Sequence, residues 1–352
     1  MNAPERPALR LTSFSHGGGC GCKIAPGVLA DILARSAPSM LPKALLVGIE
    51  TADDAAVYQI NERQAIVATT DFFMPIVDDP HDFGAIAATN AISDVYAMGA
   101  TPLFALAIVG MPIKDLPLDV VRRILEGGES VCAKAGIPVA GGHTIDSVEP
   151  IYGLVAIGVV DPAHLKRNAG ARPGDRLVLG KPLGVGVYSA ALKKGKLDAA
   201  GYAAMIASTT MLNTPGVALG AHPGVHAMTD VTGFGLAGHL LEMCHGSSAG
   251  ARLRWSQVPL HAGVADLARA GHVTGASARN WAGYGHDVDL GAGLGDVERA
   301  LLADPQTSGG LLVACAPDAE ADVLDAFRRE GFAQACAIGE VVAGPPRIAI
   351  AA

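Results

Sequence analysis

Near the N-terminus the chain reads His16-Gly17-Gly18-Gly19-Cys20-Gly21-Cys22-Lys23, setting a thiol and an ammonium group three residues apart among glycines. Glycine brings no side chain to a core and loses the most conformational freedom on folding, so this segment is expected to be mobile. A cysteine flanked by glycines is sterically open, and a nearby lysine favours the reactive thiolate. The same lysine can neutralise a phosphoryl group in transit. Two other readings stand beside this one: a loose tail, and a zinc or copper site on His16, Cys20 and Cys22. The metal reading lacks a fourth ligand nearby.

A second set of residues is acidic. Asp53 and Asp54 precede the strand-like Ala55-Ala56-Val57-Tyr58, Asp71 ends the strand pattern Ala65–Thr70, and Asp230 closes Val225–Thr229. The helical pattern Asp82–Met98 is apolar except for Asn90 and Asp94, which are four apart and so share a face. A carboxylate on a buried helix is costly unless it is paired or holds a metal. Each aspartate alone reads as a cap or turn residue, but Asp94 has no capping role. Hard oxygen donors from separate elements suit Mg²⁺, which takes a few carboxylates plus phosphate oxygens and water.

Weaker signals follow. Val139-Ala140-Gly141-Gly142-His143-Thr144 reads as a strand and a Gly-Gly turn whose backbone could hold phosphate or ribose. A plain turn and a structural histidine are equally compatible with it. Asp304–Gly310 is a polar loop before a buried strand, with no role assigned by its chemistry. No P-loop motif is present. Gly233-Phe234-Gly235-Leu236-Ala237-Gly238 fits the dinucleotide pattern, but the acidic residue expected about 20 positions on is missing.

The elements that must position these residues alternate along the chain. Strands are expected over Ala65–Asp71, Leu103–Gly110, Tyr152–Val160, Arg176–Gly180, Val225–Thr229, Gly310–Cys315 and Ala335–Val342. Helices are expected over Gly27–Arg35, Asp82–Met98, Leu118–Ala135, Phe234–His245, Gly263–Ala270 and Pro317–Glu330. Such alternation gives α+β or α/β layering. The 352 residues exceed one ordinary core, and the turn-rich stretch Asp161–Asp175 is the expected divide. Thr70-Asp71 and Thr229-Asp230 then close comparable strands in the two halves, a faint internal echo.

Composition narrows the partners. Half the residues are apolar, 17% are charged and the net charge is −8, which excludes a disordered chain and argues against a polyanion surface such as nucleic acid. The uncharged run Val95–Ile113 is broken by Pro102, Gly110 and Pro112, so it reads as helix end, turn and buried strand, not a membrane span. No apolar leader follows Arg6 and Arg10, and a reducing cytoplasm is expected. Cys132, Cys244, Cys315 and Cys336 read as packing residues.

Taken together, the motifs resemble the selenophosphate synthetase family. The resemblance runs from Ser15–Lys23 through Thr51–Val57, Thr69–Phe73, Ala88–Asp94, Gly141–Thr144, Met228–Gly235 and Asp304–Gly310, nearly the whole chain. The Cys-x-Cys-Lys loop is specific to that family. The aspartate motifs are shared with two-domain ATP-binding relatives such as aminoimidazole ribonucleotide synthetase and the hydrogenase maturation dehydratase. The resemblance implies an α+β, two-domain ATP-binding fold: a catalytic loop over 1–25, an ATP- and Mg²⁺-binding domain over 26–165 and a second domain over 170–352. It implies synthesis of selenophosphate, AMP and orthophosphate from ATP, selenide and water. It makes Cys20 the catalytic position, Lys23 the phosphate-contacting lysine, and Asp54, Asp94 and Asp230 the magnesium ligands. Thr51, Ala52, Asp53, Asp71, Asp94, Gly142, His143 and Thr144 would line the nucleotide site together with Lys23. It also implies a homodimer whose N-terminal sheets meet, and a protein that delivers selenium.

Overall fold

The computed structural model describes residues 9–23, 32, 42–48 and 53–352. The expected helix Gly27–Arg35 lies outside the described residues apart from Ile32, as do Thr51 and Ala52.

The first sheet has the order β1-β2-β3-β6-β4-β5, built from Leu45–Val47, Ala56–Asn61, Gln64–Phe73, Ile151–Val160, Thr101–Met111 and Val139–Asp146 respectively. β3 shows why one face is dry: Ala65, Val67, Thr69, Asp71 and Phe73 are buried in strict alternation with more accessible neighbours. The long helix α1 (Pro80–Ala97) lies against this buried face; Asp79 caps it by accepting from the Asp82 N–H, and Pro80 occupies its first turn. From Phe83 to Ala97 every residue of α1 is buried. A helix apolar on all sides must be enclosed, and α1 is enclosed by the sheet, by α2 (Leu118–Lys134) and by elements of the second half of the chain. Glycines bring α1 and α2 together. A Cβ on Gly84 would lie 1.8 Å from the Ile124 carbonyl oxygen, and one on Gly127 would lie 2.0 Å from that of His81.

The second sheet has the order β10-β13-β9-β12-β7-β11-β8, formed by Val288–Leu290, Ile348–Ala351, Gly250–Arg254, Cys336–Val342, Arg176–Leu179, Leu311–Cys315 and Val225–Asp230. β11 is buried at all five positions, as a strand covered on both faces must be. Residues 161–175 join the sheets and are tied to both. The Asn168 N–H donates to Asp53 Oδ1, Arg167 donates to the Leu46 carbonyl, and the Arg167 carbonyl accepts from the Met228 N–H.

Two expectations change. The Gly-Gly turn expected after Val139 is instead inside β5, which continues to Asp146 beside β4 with a shift of register between Val139 and Gly142. Glycine is required there by close approach: a Cβ on Gly142 would lie 2.1 Å from the Ala107 carbonyl oxygen. The helix expected over Pro317–Glu330 begins as a 3₁₀ turn at Pro317–Ala319 and becomes α-helical at Glu320–Arg329. Val95–Ile113 is helix end, turn and strand as read, and among the described residues no helix is long and apolar enough to cross a membrane.

Gly84→Val should force α1 away from α2 and destabilise the protein by about 3 kcal/mol, the upper part of the usual overpacking range. Chemical denaturation of the variant checks this; an unchanged midpoint would show that the helix contact is not tight.

Candidate active site

Three polar residues of α1, Asn90, Ser93 and Asp94, meet side chains from elsewhere, whereas Thr89 donates back to the Ala85 carbonyl of its own helix. Asp94 Oδ2 accepts a short hydrogen bond from the Thr69 hydroxyl of β3. Asn90 Nδ2 donates to Asp71 Oδ2, which also receives Lys23 Nζ at 3.4 Å. Ser93 donates to Asp230, which ends β8 in the other sheet. Asp54 Oδ1 accepts from the Thr229 hydroxyl at 2.9 Å, whereas its buried Oδ2 has no hydrogen-bond partner. Asp54, Asp94 and Asp230 therefore come from separate elements, as their spacing required.

Burial raises the carboxyl pKa of Asp54, Asp94 and Asp230 above the ordinary range, and the charge of Asp230 adds to the rise at both Asp54 and Asp94. The pKa of Lys23 moves up, opposite to what burial alone does to a cation. Asp71 chiefly raises its pKa, against the effect of burial, with Cys20, Asp94 and Asp230 adding to the rise. Its side chain remains 41% exposed and reaches a cavity of about 720 Å³ lined also by Cys22, Asp71, Phe72, Met74, Glu149 and Phe234.

The Gly-rich segment is folded against this seam, which corrects the expectation of an open, mobile thiol. Gly19–Cys22 forms a 3₁₀ turn. Gly19 has φ +54°, and a Cβ there would lie 2.4 Å from Thr307 Oγ1, so no other residue fits without displacement. Cys20 is 1% exposed; its N–H donates to Thr307 Oγ1 at 3.0 Å and its thiol donates to Asn90 Oδ1 at 3.2 Å. Burial raises the Cys20 pKa and outweighs the lowering by Lys23, so the folded-in form is a thiol and not the expected thiolate. Exposed side chains clasp the same segment. His16 meets Glu149 through both its N–H and Nδ1, Lys193 reaches the Gly17 carbonyl, and Arg279 reaches that of Gly21.

The zinc or copper reading gains no support from these contacts. Cys22 donates its thiol to the Gly19 carbonyl, and among the described residues no three histidine, cysteine or carboxylate side chains are disposed to hold a metal ion. Gly233, first noticed for a dinucleotide pattern, serves close approach instead: a Cβ there would lie 3.1 Å from both the Cys20 carbonyl oxygen and Lys23 Cδ.

Sequence reasoning left the Asp304–Gly310 loop without a role, yet every residue in it is buried. Thr307 receives the Cys20 N–H, and the Ser308 N–H donates to Asn90 Oδ1 at 2.7 Å. Asp304 accepts from the N–H groups of Gly186 and Val187, and burial raises its pKa to about 7. A run of polar residues adjoining an apolar strand was the available signal. Gly142, His143 and Thr144 behave differently: they lie exposed on β5 and share no hydrogen bond with the carboxylates among the described residues.

The raised carboxyl pKa values have a stability consequence. Between the unfolded carboxylate range near 4 and the raised folded values, the native state binds more protons than the unfolded one, so stability falls as pH rises through that window. Asp54→Asn removes one charge while keeping the Oδ1 acceptor for Thr229. It should stabilise the metal-free protein at neutral pH by at least about 1 kcal/mol and flatten the pH dependence of melting. A variant that melts lower than the parent at every pH would refute the crowding of like charges.

The chain matches two family models, AIR synthase related protein, N-terminal domain, over residues 52–160, and AIR synthase related protein, C-terminal domain, over 172–350. It is 68% identical over 344 residues to the selenide, water dikinase of Burkholderia pseudomallei, covering 98% of this chain and 97% of that one. The selenide, water dikinase of Rhizobium meliloti is 57% identical, with 97% and 98% covered. Among solved structures, a thiamine-monophosphate kinase from Stenotrophomonas maltophilia aligns with a TM-score of 0.62 at 20% identity, over 92% of this chain and 95% of the other. The hydrogenase maturation protein HypE in complex with ATP aligns with a TM-score of 0.63 at 18% identity, over 97% and 94%. These two share the fold: layered α+β halves around two sheets. With its thiol, lysine and carboxylate cluster at the seam of that fold, the chain belongs to the selenide, water dikinase family, within the AIR synthase-related proteins.

Proposed function

We propose that this chain makes selenophosphate from ATP, selenide and water, releasing AMP and orthophosphate. The observation that carries the reading is the meeting of Cys20 and Asp71 at Asn90, with Lys23 joined through Asp71 and Asp94 four residues on from Asn90 along the same buried helix. Phosphoryl transfer asks little covalent chemistry of a protein; positioning and charge neutralisation dominate. Asp71 holds the Lys23 ammonium at the cavity wall, where it can meet the terminal phosphate. The folded-in loop keeps water from the transfer, which is the usual purpose of a closing segment. Cys20 holds its proton on Sγ, turned to Asn90, and stands at the acceptor side for selenide.

Asp54, Asp94 and Asp230 would hold Mg²⁺. The unpartnered Asp54 Oδ2 and the raising of the Asp54 and Asp94 pKa values by burial and by Asp230 fit a cation, but the three carboxylates are not disposed to hold an ion by themselves, so phosphate oxygens and water would have to complete its shell. When bound, magnesium supplies neutralisation of the triphosphate charge. Thr51, Ala52, Asp53, Gly142, His143 and Thr144 complete the nucleotide site in this reading. Residues 1–25 are its loop, 26–165 its ATP-binding domain and 170–352 its second domain.

The same reading makes the protein a cytoplasmic homodimer served by a selenium-delivery protein. One face of the first sheet supports the dimer. Tyr58, Phe72 and Ile145 are exposed there and Ile157 and Val159 are only half-buried, while Val57, Val67 and Leu154 on the other face are buried. Light scattering should return twice the 35.7 kDa chain mass, and Ile157→Glu should return the chain mass alone. A parent protein of single mass would remove the dimer.

Phosphorus NMR of the protein with ATP, Mg²⁺ and selenide under anaerobic conditions should show selenophosphate, AMP and orthophosphate rising together. ADP as the stable product would point to a different acceptor. Cys20→Ser should abolish selenophosphate while nucleotide still binds; a serine variant working at the parent rate would end the role given to Cys20. Asp94→Ala should weaken Mg²⁺-dependent ATP binding by at least about tenfold. Unchanged binding there would remove Asp94 from the metal set.

A further inference from the structure

Lys181 follows β7 and is 2% exposed, with no carboxylate at ion-pair distance among the described residues. Its Nζ donates to three backbone carbonyls: Ser208 at 3.1 Å, Met211 at 2.7 Å and Ser308 at 2.8 Å. An ammonium group has three N–H donors and a neutral amine two, so this cradle matches the charged form. Burial lowers the Lys181 pKa to about 7, with the charge of Asp230 opposing it, so a cation held here is expensive, and its placement has a target in Ser308.

Ser308 holds φ +52°, a left-handed conformation that residues other than glycine seldom adopt. Every polar group it carries is tied. Its N–H donates to Asn90 Oδ1, its hydroxyl donates to the Ile86 carbonyl, and its own carbonyl accepts from Lys181. The preceding residue, Thr307, receives the Cys20 N–H, and Asn90 Oδ1 receives the Cys20 thiol. The next residue is gripped as well, since Asn213 donates to the Gly309 carbonyl. Thr307, which receives the Cys20 N–H, and Ser308, which donates to the Asn90 oxygen that receives the Cys20 thiol, thus form one strained turn whose far side is fixed by Lys181.

We infer that Lys181 is a positioning residue for Cys20, acting through the Thr307–Ser308 turn. It touches neither nucleotide nor thiol. The inference rests on the reading of Cys20 as the reactive residue of a closing loop, but its test does not require turnover. Releasing the Ser308 carbonyl lets the turn relax, and Cys20 then spends more time outside its pocket.

The test is the rate at which iodoacetamide modifies each cysteine of the full-length protein, resolved by peptide mass mapping. Cys132, Cys244 and Cys315 are buried in the cores and report any loosening of the fold as a whole. Lys181→Met should raise the Cys20 rate by about tenfold, the worth of one internal hydrogen bond, with the core cysteines still protected. Lys181→Gln, which keeps two donors, should fall between. Thr307→Val should raise the Cys20 rate directly, and adding Lys181→Met to it should give little further increase, since both act on one turn. A Cys20 rate unmoved by Lys181→Met, core cysteines reacting in step with Cys20, or a double variant whose effects multiply would each overturn the inference. If Cys20 is freed and selenophosphate turnover is unaffected, the catalytic reading of Cys20 fails while the positioning by Lys181 stands.

Discussion

The structure depends on keeping Asp54, Asp94 and Asp230 close together in a dry seam. Burial raises the cost of ionising each, Asp230 adds to it at Asp54 and Asp94, and among the described residues none has an arginine at ion-pair distance. The surrounding chemistry follows from that constraint. Hydroxyls of Thr69, Ser93 and Thr229 supply one hydrogen bond to each, Lys23, held by Asp71, supplies a positive charge, and one oxygen of Asp54 is left over. Such a seam costs stability in the free protein and offers the most to a cation that arrives with its own anionic ligand.

Holding the carboxylates there dictates the packing. α1 must lie between two sheets to present Asn90, Ser93 and Asp94 inward, so its remaining surface has to be apolar, and Gly84 lets α2 come close enough to cover it. Small residues recur wherever backbone approaches backbone near the site. Gly19 leaves space for Thr307, Gly233 for Cys20, and Gly309 for the Val231 carbonyl. The glycines of the N-terminal segment therefore buy contact with the site as much as freedom from it.

Much of this could be read from the sequence because local pattern carries it. The alternation in Gln64–Phe73, the apolar stretch of α1 and the lack of any capping role for Asp94 each survive without knowledge of partners. What could not be read was long-range. Nothing around Cys20 in the chain says that Thr307 and Asn90 will close over it, so a glycine-rich thiol looked open and its lysine looked decisive for the thiolate. The polar run Asp304–Gly310 was left without a role because its partners, Gly186, Lys181 and Asn90, lie far away in sequence. Gly141-Gly142 looked like a turn because a glycine pair marks positive φ, which both residues do have, but here inside a strand that passes close to its neighbour.

The burial of Cys20 has a consequence for how long such a protein lasts. Oxidants attack thiolates that they can reach, and the damage beyond sulfenic acid is largely irreversible. A protonated thiol that is 1% exposed offers neither charge nor access. The grip of Thr307 and Asn90 on Cys20 therefore also shields its sulfur from oxidative wear for as long as the segment stays folded in.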